Sequence, residues 1–364
     1  MEVEYPDREP SCNNNLVGAQ AVADFYRHYK RLERIKDQNA TEKIRSSLYT
    51  SVLDKCNEQK ILPSKVGLVK YDGKADEVRL GHSRYGRKYL SALSEGLKEA
   101  NITSCHLNSN RINHQTLEML SPNFPRSLVS MRLQNNEIGG RGIEAFHRFL
   151  KEDIKLVELD LSNNNLTDAG TTTLCSTLQN HQRIRILNLS RNCITCRSAV
   201  HLSSLIQSGS FEEIYLQWNR IRCHGGKEIL TALTPSLSVK VFDLSWNMIG
   251  GSIESCEALC NLIRSNSELV HCDLSGNSFT VEESRLVSET LHHNSTIYGF
   301  HFKGNFGHID SIGNLIVEEG AYARDYRDVC IHNKIESCQL RQHARKDLCE
   351  TPLRDCCWIC EGWL

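Results

Sequence analysis

Cys330, His332, Cys338, His343, Cys349, Cys356, Cys357 and Cys360 crowd the end of the chain, where six of its sixteen cysteines fall within 31 residues. Thiolates combined with imidazole suit tetrahedral zinc, and Cys357-Trp358-Ile359-Cys360 has the paired spacing of a metal knuckle. Cys338 and Cys349 would complete a set of four with Cys357 and Cys360, but the wider spacings match no zinc-finger pattern. Reduced thiols in a capping helix and loop, or disulfides, are the other readings of the same residues. Redox C-x-x-C chemistry is not expected, because no strand-then-helix context surrounds the pair.

Two further pairs stand two residues apart and therefore on one strand face: His271 with Asp273, and His301 with Lys303. Pairs of this type arise often by chance on an exposed sheet. No P-loop, G-x-S-x-G, H-E-x-x-H or kinase signature is present. We therefore expect no enzyme, no small-molecule substrate and, zinc apart, no cofactor. With 43 basic and 44 acidic residues the chain is not a polycation built to hold phosphates, so no nucleic-acid partner is expected. The run Lys30, Arg31, Glu33, Arg34 and Lys36 reads as a solvated helix face. No apolar run is long enough to span a membrane, and the acidic start Met1-Glu2-Val3-Glu4 lacks the apolar segment of a secretory signal. A cytoplasmic protein with reduced thiols is expected. The sequons at Asn39, Asn101, Asn165, Asn188 and Asn294 then carry little weight.

The elements that position these residues come from a repeat. Asn110, Asn136, Asn164, Asn192, Asn219, Asn247, Asn277 and Asn305 recur at intervals of 26, 28, 28, 27, 28, 30 and 28, each three residues after an apolar one. The clearest copy runs Leu156-Val157-Glu158-Leu159-Asp160-Leu161-Ser162-Asn163-Asn164-Asn165-Leu166 and continues to Leu174 and Leu178. Alternation at Leu159, Asp160, Leu161 and Ser162 predicts a short strand with one buried and one exposed face. The spacing of Leu174 and Leu178 predicts one stripe of a helix. An asparagine after the strand can satisfy backbone groups that the bend leaves unpaired, so stacked copies should form a ladder of such side chains. A single copy buries too little to offset its own ordering, so copies must stack and both ends need caps.

This pattern resembles the leucine-rich repeats, and its period with a full helix resembles their ribonuclease-inhibitor-like subfamily. The resemblance covers residues 75–317 in about nine copies, the first degraded to Val78, Leu80 and Ser83. It implies an α/β solenoid: a horseshoe with parallel strands on the concave face, helices on the convex face and a protein ligand. Around it we expect a flexible N-terminus at 1–17, a helical cap at 18–74 marked by Ala19, Val22, Tyr26, Ile44, Leu48, Val52 and Leu53, and a Cys-rich module at 318–364. The apolar end Glu361-Gly362-Trp363-Leu364 suggests a fragment, or an end that packs on a partner or a following domain.

Counting from each ladder asparagine, strand positions minus six, minus four and minus two should face outward, with minus one at the rim. The minus-four column reads Arg79, His106, Arg132, Asp160, Asn188, Tyr215, Asp243, Asp273, His301, basic first and acidic later. Trp218 and Trp246 occupy the rim of neighbouring copies. Arg132, Asp160, Tyr215, Trp218, Asp243, Trp246 and Asp273 are the candidate partner-binding residues, as exposed aromatics beside charges have the composition of a hot spot. Packing against the bend is the alternative reading of the tryptophans. The expected function is a non-catalytic scaffold in a multiprotein assembly. Intracellular proteins with these repeats and such flanks resemble components of cilia and flagella, which points to the axoneme by resemblance alone. A regulator is the alternative, since such repeats also occur in inhibitors and in Ran GTPase-activating proteins. Those activators are typically followed by an acidic tail, whereas this one carries Arg341, His343, Arg345, Lys346 and Arg354.

Overall fold

The computed structural model describes residues 48–61 and 77–317, apart from residues 83, 99, 153, 180, 311 and 312. Most of the expected N-terminal cap and the whole Cys-rich segment, with Cys338, Cys349, Cys357 and Cys360, lie outside the described residues.

Helix α1 (Leu48–Glu58) is followed by an alternation of three-residue strands and helices. In chain order these are β1 (Glu77–Arg79), α2 (Arg87–Leu97), β2 (Ser104–His106), α3 (His114–Leu120), β3 (Ser130–Arg132), α4 (Gly139–Leu150), β4 (Glu158–Asp160) and α5 (Asp168–Leu178). The second half runs β5 (Ile186–Asn188), α6 (Ala199–Ser208), β6 (Glu213–Tyr215), α7 (Cys223–Leu233), β7 (Val241–Asp243), α8 (Ile253–Ser265), β8 (His271–Asp273), α9 (Val281–His292) and β9 (Gly299–His301). A small hairpin, β10 (His308–Ile309) with β11 (Leu315–Ile316), follows.

Strands β1 to β9 form one sheet in sequence order, each pairing parallel with the next. Parallel neighbours cannot be joined by a tight turn, so each connection crosses back through a helix. The register sets Val78, Cys105, Met131, Leu159, Leu187, Ile214, Phe242, Cys272 and Phe300 side by side. All nine are buried in a continuous core that extends under the helices and takes in Val52 and Cys56 of α1. Cys105, Cys175, Cys256, Cys260 and Cys272 are buried without disulfides and pack as small core hydrophobes. Burial pushes the Cys105 thiol up to about 12, so it stays neutral.

The asparagine ladder forms. Asn192 Oδ1 accepts from the backbone N–H of Asn164 and of Leu166, both at 3.0 Å. Its Nδ2 donates to the carbonyls of Leu161 and Leu189 at 3.1 and 2.9 Å. The same double donation recurs at Asn110, Asn136, Asn219, Asn247, Asn277 and Asn305. One amide per copy thus ties the bend to the copy before it. Between the copies of Asn136 and Asn164 the link is weaker, since Asn164 Oδ1 has no partner among the described residues. Ser83, the expected first rung, lies outside them.

Between α4 and α5 the spacing is set by close backbone approach. A Cβ built on Gly170 at the start of α5 would lie 2.7 Å from the Gly140 Cα of α4, backbone that cannot step aside. A Cβ on Gly140 would meet nothing nearer than 3.4 Å, an ordinary contact. Two pairs of variants test this account of the fold. Asn192→Ala leaves two buried N–H groups and two carbonyls short of a partner, and should lower unfolding free energy in urea by about 3 kcal/mol or more. Loss of the exposed Lys227–Glu254 pair through Lys227→Ala should leave the unfolding free energy close to unchanged. Gly170→Ala should cost about 1–3 kcal/mol through overpacking, whereas Gly140→Ala should be close to neutral; equal losses would sink the close-approach account.

Candidate functional site

The minus-four residues line up across the sheet as the register predicts, from Arg79 opposite His106 to Asp273 opposite His301. Their exposure differs from expectation. Arg79 is exposed and His106, Arg132 and Asn188 are half-buried, but Asp160, Tyr215, Asp243, Asp273 and His301 are buried. The expectation of an open charged stripe therefore fails over the second half of the sheet.

Local hydrogen bonding explains part of the difference. Asp160, Asn188, Asp243 and Asp273 each turn Oδ1 back to accept from the backbone N–H two residues on, at Ser162, Ser190, Ser245 and Ser275, at 2.9–3.0 Å. These are Asx turns that shape the strand exit, so the carboxylates lie along the strand rather than reaching out of the sheet. Burial pushes the Asp160 carboxyl above its ordinary range. The Tyr215 hydroxyl donates to Glu213 at 2.7 Å, and burial raises its pKa, so it stays a neutral donor. Arg132 is engaged by Glu158, with Nε 2.6 Å from the carboxylate. The His271 and His301 rings lie 4.9 Å apart, tilted by 44°. Among the described residues, no group of three or more histidines, cysteines or acids could hold a metal ion.

The rim column behaves differently. Every residue immediately before a ladder asparagine has a positive φ: Ser109, Asn135, Asn163, Arg191, Trp218, Trp246, Gly276 and Gly304 fall between 50° and 78°. The bend demands this left-handed conformation, which costs a bulky L-residue about 1–2 kcal/mol. Glycine and asparagine suit it, and four of the eight are one or the other. Two tryptophans do not, and their rings are stacked, with centroids 4.6 Å apart and planes 9° from parallel. The guanidinium of Arg191 sits 5.5 Å from the Trp218 ring centroid. On the far side a Cβ at Gly276 would fall 2.6 Å from the Trp246 ring, so only glycine leaves room for it. Stacking contributes about 0.5–1.5 kcal/mol and the cation–π contact about 0.5–1 kcal/mol, enough to offset much of the backbone strain.

The outcome is a ridge in the order Arg191, Trp218, Trp246, Gly276, with the broad ring faces covered and the edges in solvent. Trp218 keeps 41% of its surface and Met248, two residues after Trp246, keeps 60%. Arg191 and Met248 were not anticipated as ridge residues. The glycines and asparagines at the same column position were the available signal, as they mark where φ must be positive.

A leucine-rich-repeat family model matches residues 153–175, which hold β4, the turn and most of α5. No curated protein matches the chain. Among solved structures, it has likeness to actin-binding site 2 of leiomodin-1, at 15% identity and TM-score 0.35 over 42% of this chain and 86% of that one. The tropomodulin C-terminal domain of Caenorhabditis elegans matches at 20% identity and TM-score 0.36, over 42% and 92%. The ectodomain of the Arabidopsis receptor kinase HAESA, solved with an extended IDA peptide hormone, matches at 15% and 0.42 over 72% of this chain and 42% of its own. Likeness at this level does not bear on activity. The nine-stranded parallel sheet, the helix in every crossover and the asparagine ladder give this chain the fold of a leucine-rich repeat solenoid, and the family match lies within one of its copies.

Proposed function

We propose that the chain is a non-catalytic docking module and that a partner protein seats on the ridge of Trp218 and Trp246. The observation that carries this reading is the pair of adjacent tryptophans kept half in solvent at backbone positions that disfavour them. A solenoid rim needs only asparagine or glycine there, so bulky aromatics add contact surface beyond what the bend requires. Tryptophan beside arginine is the composition of an interface hot spot. Arg132 is half-buried on the sheet face and paired with Glu158; Asp160, Asp243 and Asp273 shape the strand exits, and Tyr215 turns its hydroxyl to Glu213 on its own strand.

In its finer form the proposal is a structural component of a multiprotein intracellular assembly, with repeats of the ribonuclease-inhibitor-like kind. The ciliary or flagellar axoneme is the home suggested by resemblance of repeats and flanks. No described helix is long and apolar enough to cross a membrane, which fits a module that meets its partners in water. The alternative is regulation of a partner enzyme such as a small GTPase. The basic Arg341, Arg345, Lys346 and Arg354 count against it, and clear stimulation of GTP hydrolysis by the purified chain would replace the scaffold with the regulator.

The ridge is tested with Trp218→Asn plus Trp246→Asn, because asparagine already fills this column at 135 and 163 and keeps the backbone at ease. Affinity capture from cell extract, followed by quantitative protein identification, should show at least one specifically retained protein reduced about tenfold or more, as expected from loss of two hot-spot aromatics. Circular dichroism should be unchanged. Equal recovery by the folded variant and the native chain would end the docking reading.

A further inference from the structure

The turn that carries Trp218 is also rich in arginine. Arg220 and Arg222 follow it by two and four residues, and both are exposed. Neither is in an ion pair among the described residues, and Arg191 caps the stack from the preceding copy. Four acids on the flanking strands and helices are committed elsewhere. Glu213 accepts from the Tyr215 hydroxyl, Asp243 accepts from both the N–H and the hydroxyl of Ser245, and Glu254 pairs with Lys227 at 2.7 Å. Asp168 is held by Thr195 and Ser198. Positive charge on this stretch of rim is thus left to face solvent beside the apolar edges of Trp218 and Met248.

Resting on the docking reading above, we infer that the ridge takes an acidic protein segment bearing an aromatic or aliphatic residue. Carboxylates of the partner meet the guanidiniums of Arg220 and Arg222, whose planar fork matches a carboxylate with two parallel hydrogen bonds. The apolar residue lies against the ring edges of Trp218 and Trp246 and the Met248 thioether, which adapts to an irregular surface. Arginine beside tryptophan is also the composition of a single-stranded nucleic-acid site, but bases need an open ring face. Both faces of Trp218 are occupied, by Arg191 and by Trp246, and Trp246 is closed on its other side by Gly276. Stacking geometry therefore favours the peptide.

The test is selection of a random dodecapeptide display library on the full chain, with the Trp218→Asn plus Trp246→Asn variant as the subtracted surface. Enrichment of Asp or Glu together with Phe, Trp or Leu is expected. A synthetic peptide from that pool should bind about tenfold more weakly to Arg220→Gln plus Arg222→Gln, and more weakly as ionic strength rises. Enriched peptides that need the tryptophans but show no acidic bias, or ignore the arginine changes, would overturn the acidic partner and leave docking intact. Selection that does not distinguish native from tryptophan-less chain would overturn both. An oligouridine that binds more tightly than the best peptide and depends on the same tryptophans would replace the peptide with nucleic acid.

Discussion

Each turn of this solenoid bends sharply between strand and helix, and the bend strips backbone groups of their strand partners where water cannot reach them. One buried amide per copy settles that debt of hydrogen bonding: Asn192 accepts from two N–H groups of the copy before it and donates to two carbonyls, one on each copy. An aspartate cannot donate and a serine cannot reach both sides, so the residue type follows from the geometry. Since every rung ties a copy to its predecessor, the ladder also sets the stacking distance that lets nine three-residue strands pair without slipping. Strands this short would not hold a register by themselves.

The ridge is a consequence of the same bend. Turning the chain in so few residues places the position before each amide in the left-handed region. That conformation presents the side chain at the rim, and successive copies stack these side chains in a column. Where the column holds asparagine, neighbours hydrogen-bond, as Asn163 does to Asn135. Where it holds Arg191, Trp218, Trp246 and Gly276 the contact becomes cation–π, ring-on-ring and ring-on-backbone. Structural need and surface chemistry are separable here: the bend demands the backbone conformation and leaves the side chain free to vary.

On the sheet face that separation does not hold. Asp160, Asp243 and Asp273 read as surface charge in a list of outward positions, yet each is spent on a neighbouring serine N–H and is buried. The recurrence of Asp-Leu-Ser at 160, 243 and 273, and of Asn-Leu-Ser at 188, was the legible sign of a local Asx turn. It was obscured because strand alternation alone treats every second residue as exposed. Tyr215 likewise turns its hydroxyl to Glu213 on its own strand instead of outward.

Periodicity determined by itself that this chain stacks: the asparagine interval, the Leu159 to Leu161 alternation and the Leu174 to Leu178 spacing name the strand, the helix, the ladder and the column in which each residue sits. Those are one-dimensional properties, and in a solenoid each copy meets only its neighbours, so position in the repeat translates directly into position in space. Side-chain partnership is not one-dimensional. Whether Trp218 lies flat on Trp246, whether Arg191 closes the stack, and whether Asp243 reaches solvent or Ser245 depend on rotamers and on the few ångströms between adjacent copies. Only the tertiary structure decided the stack, because its contacts are made between residues 27 to 30 apart, whose relative placement exists only once the copies are stacked, whereas the Asp243 contact spans two residues and turns on the side-chain rotamer.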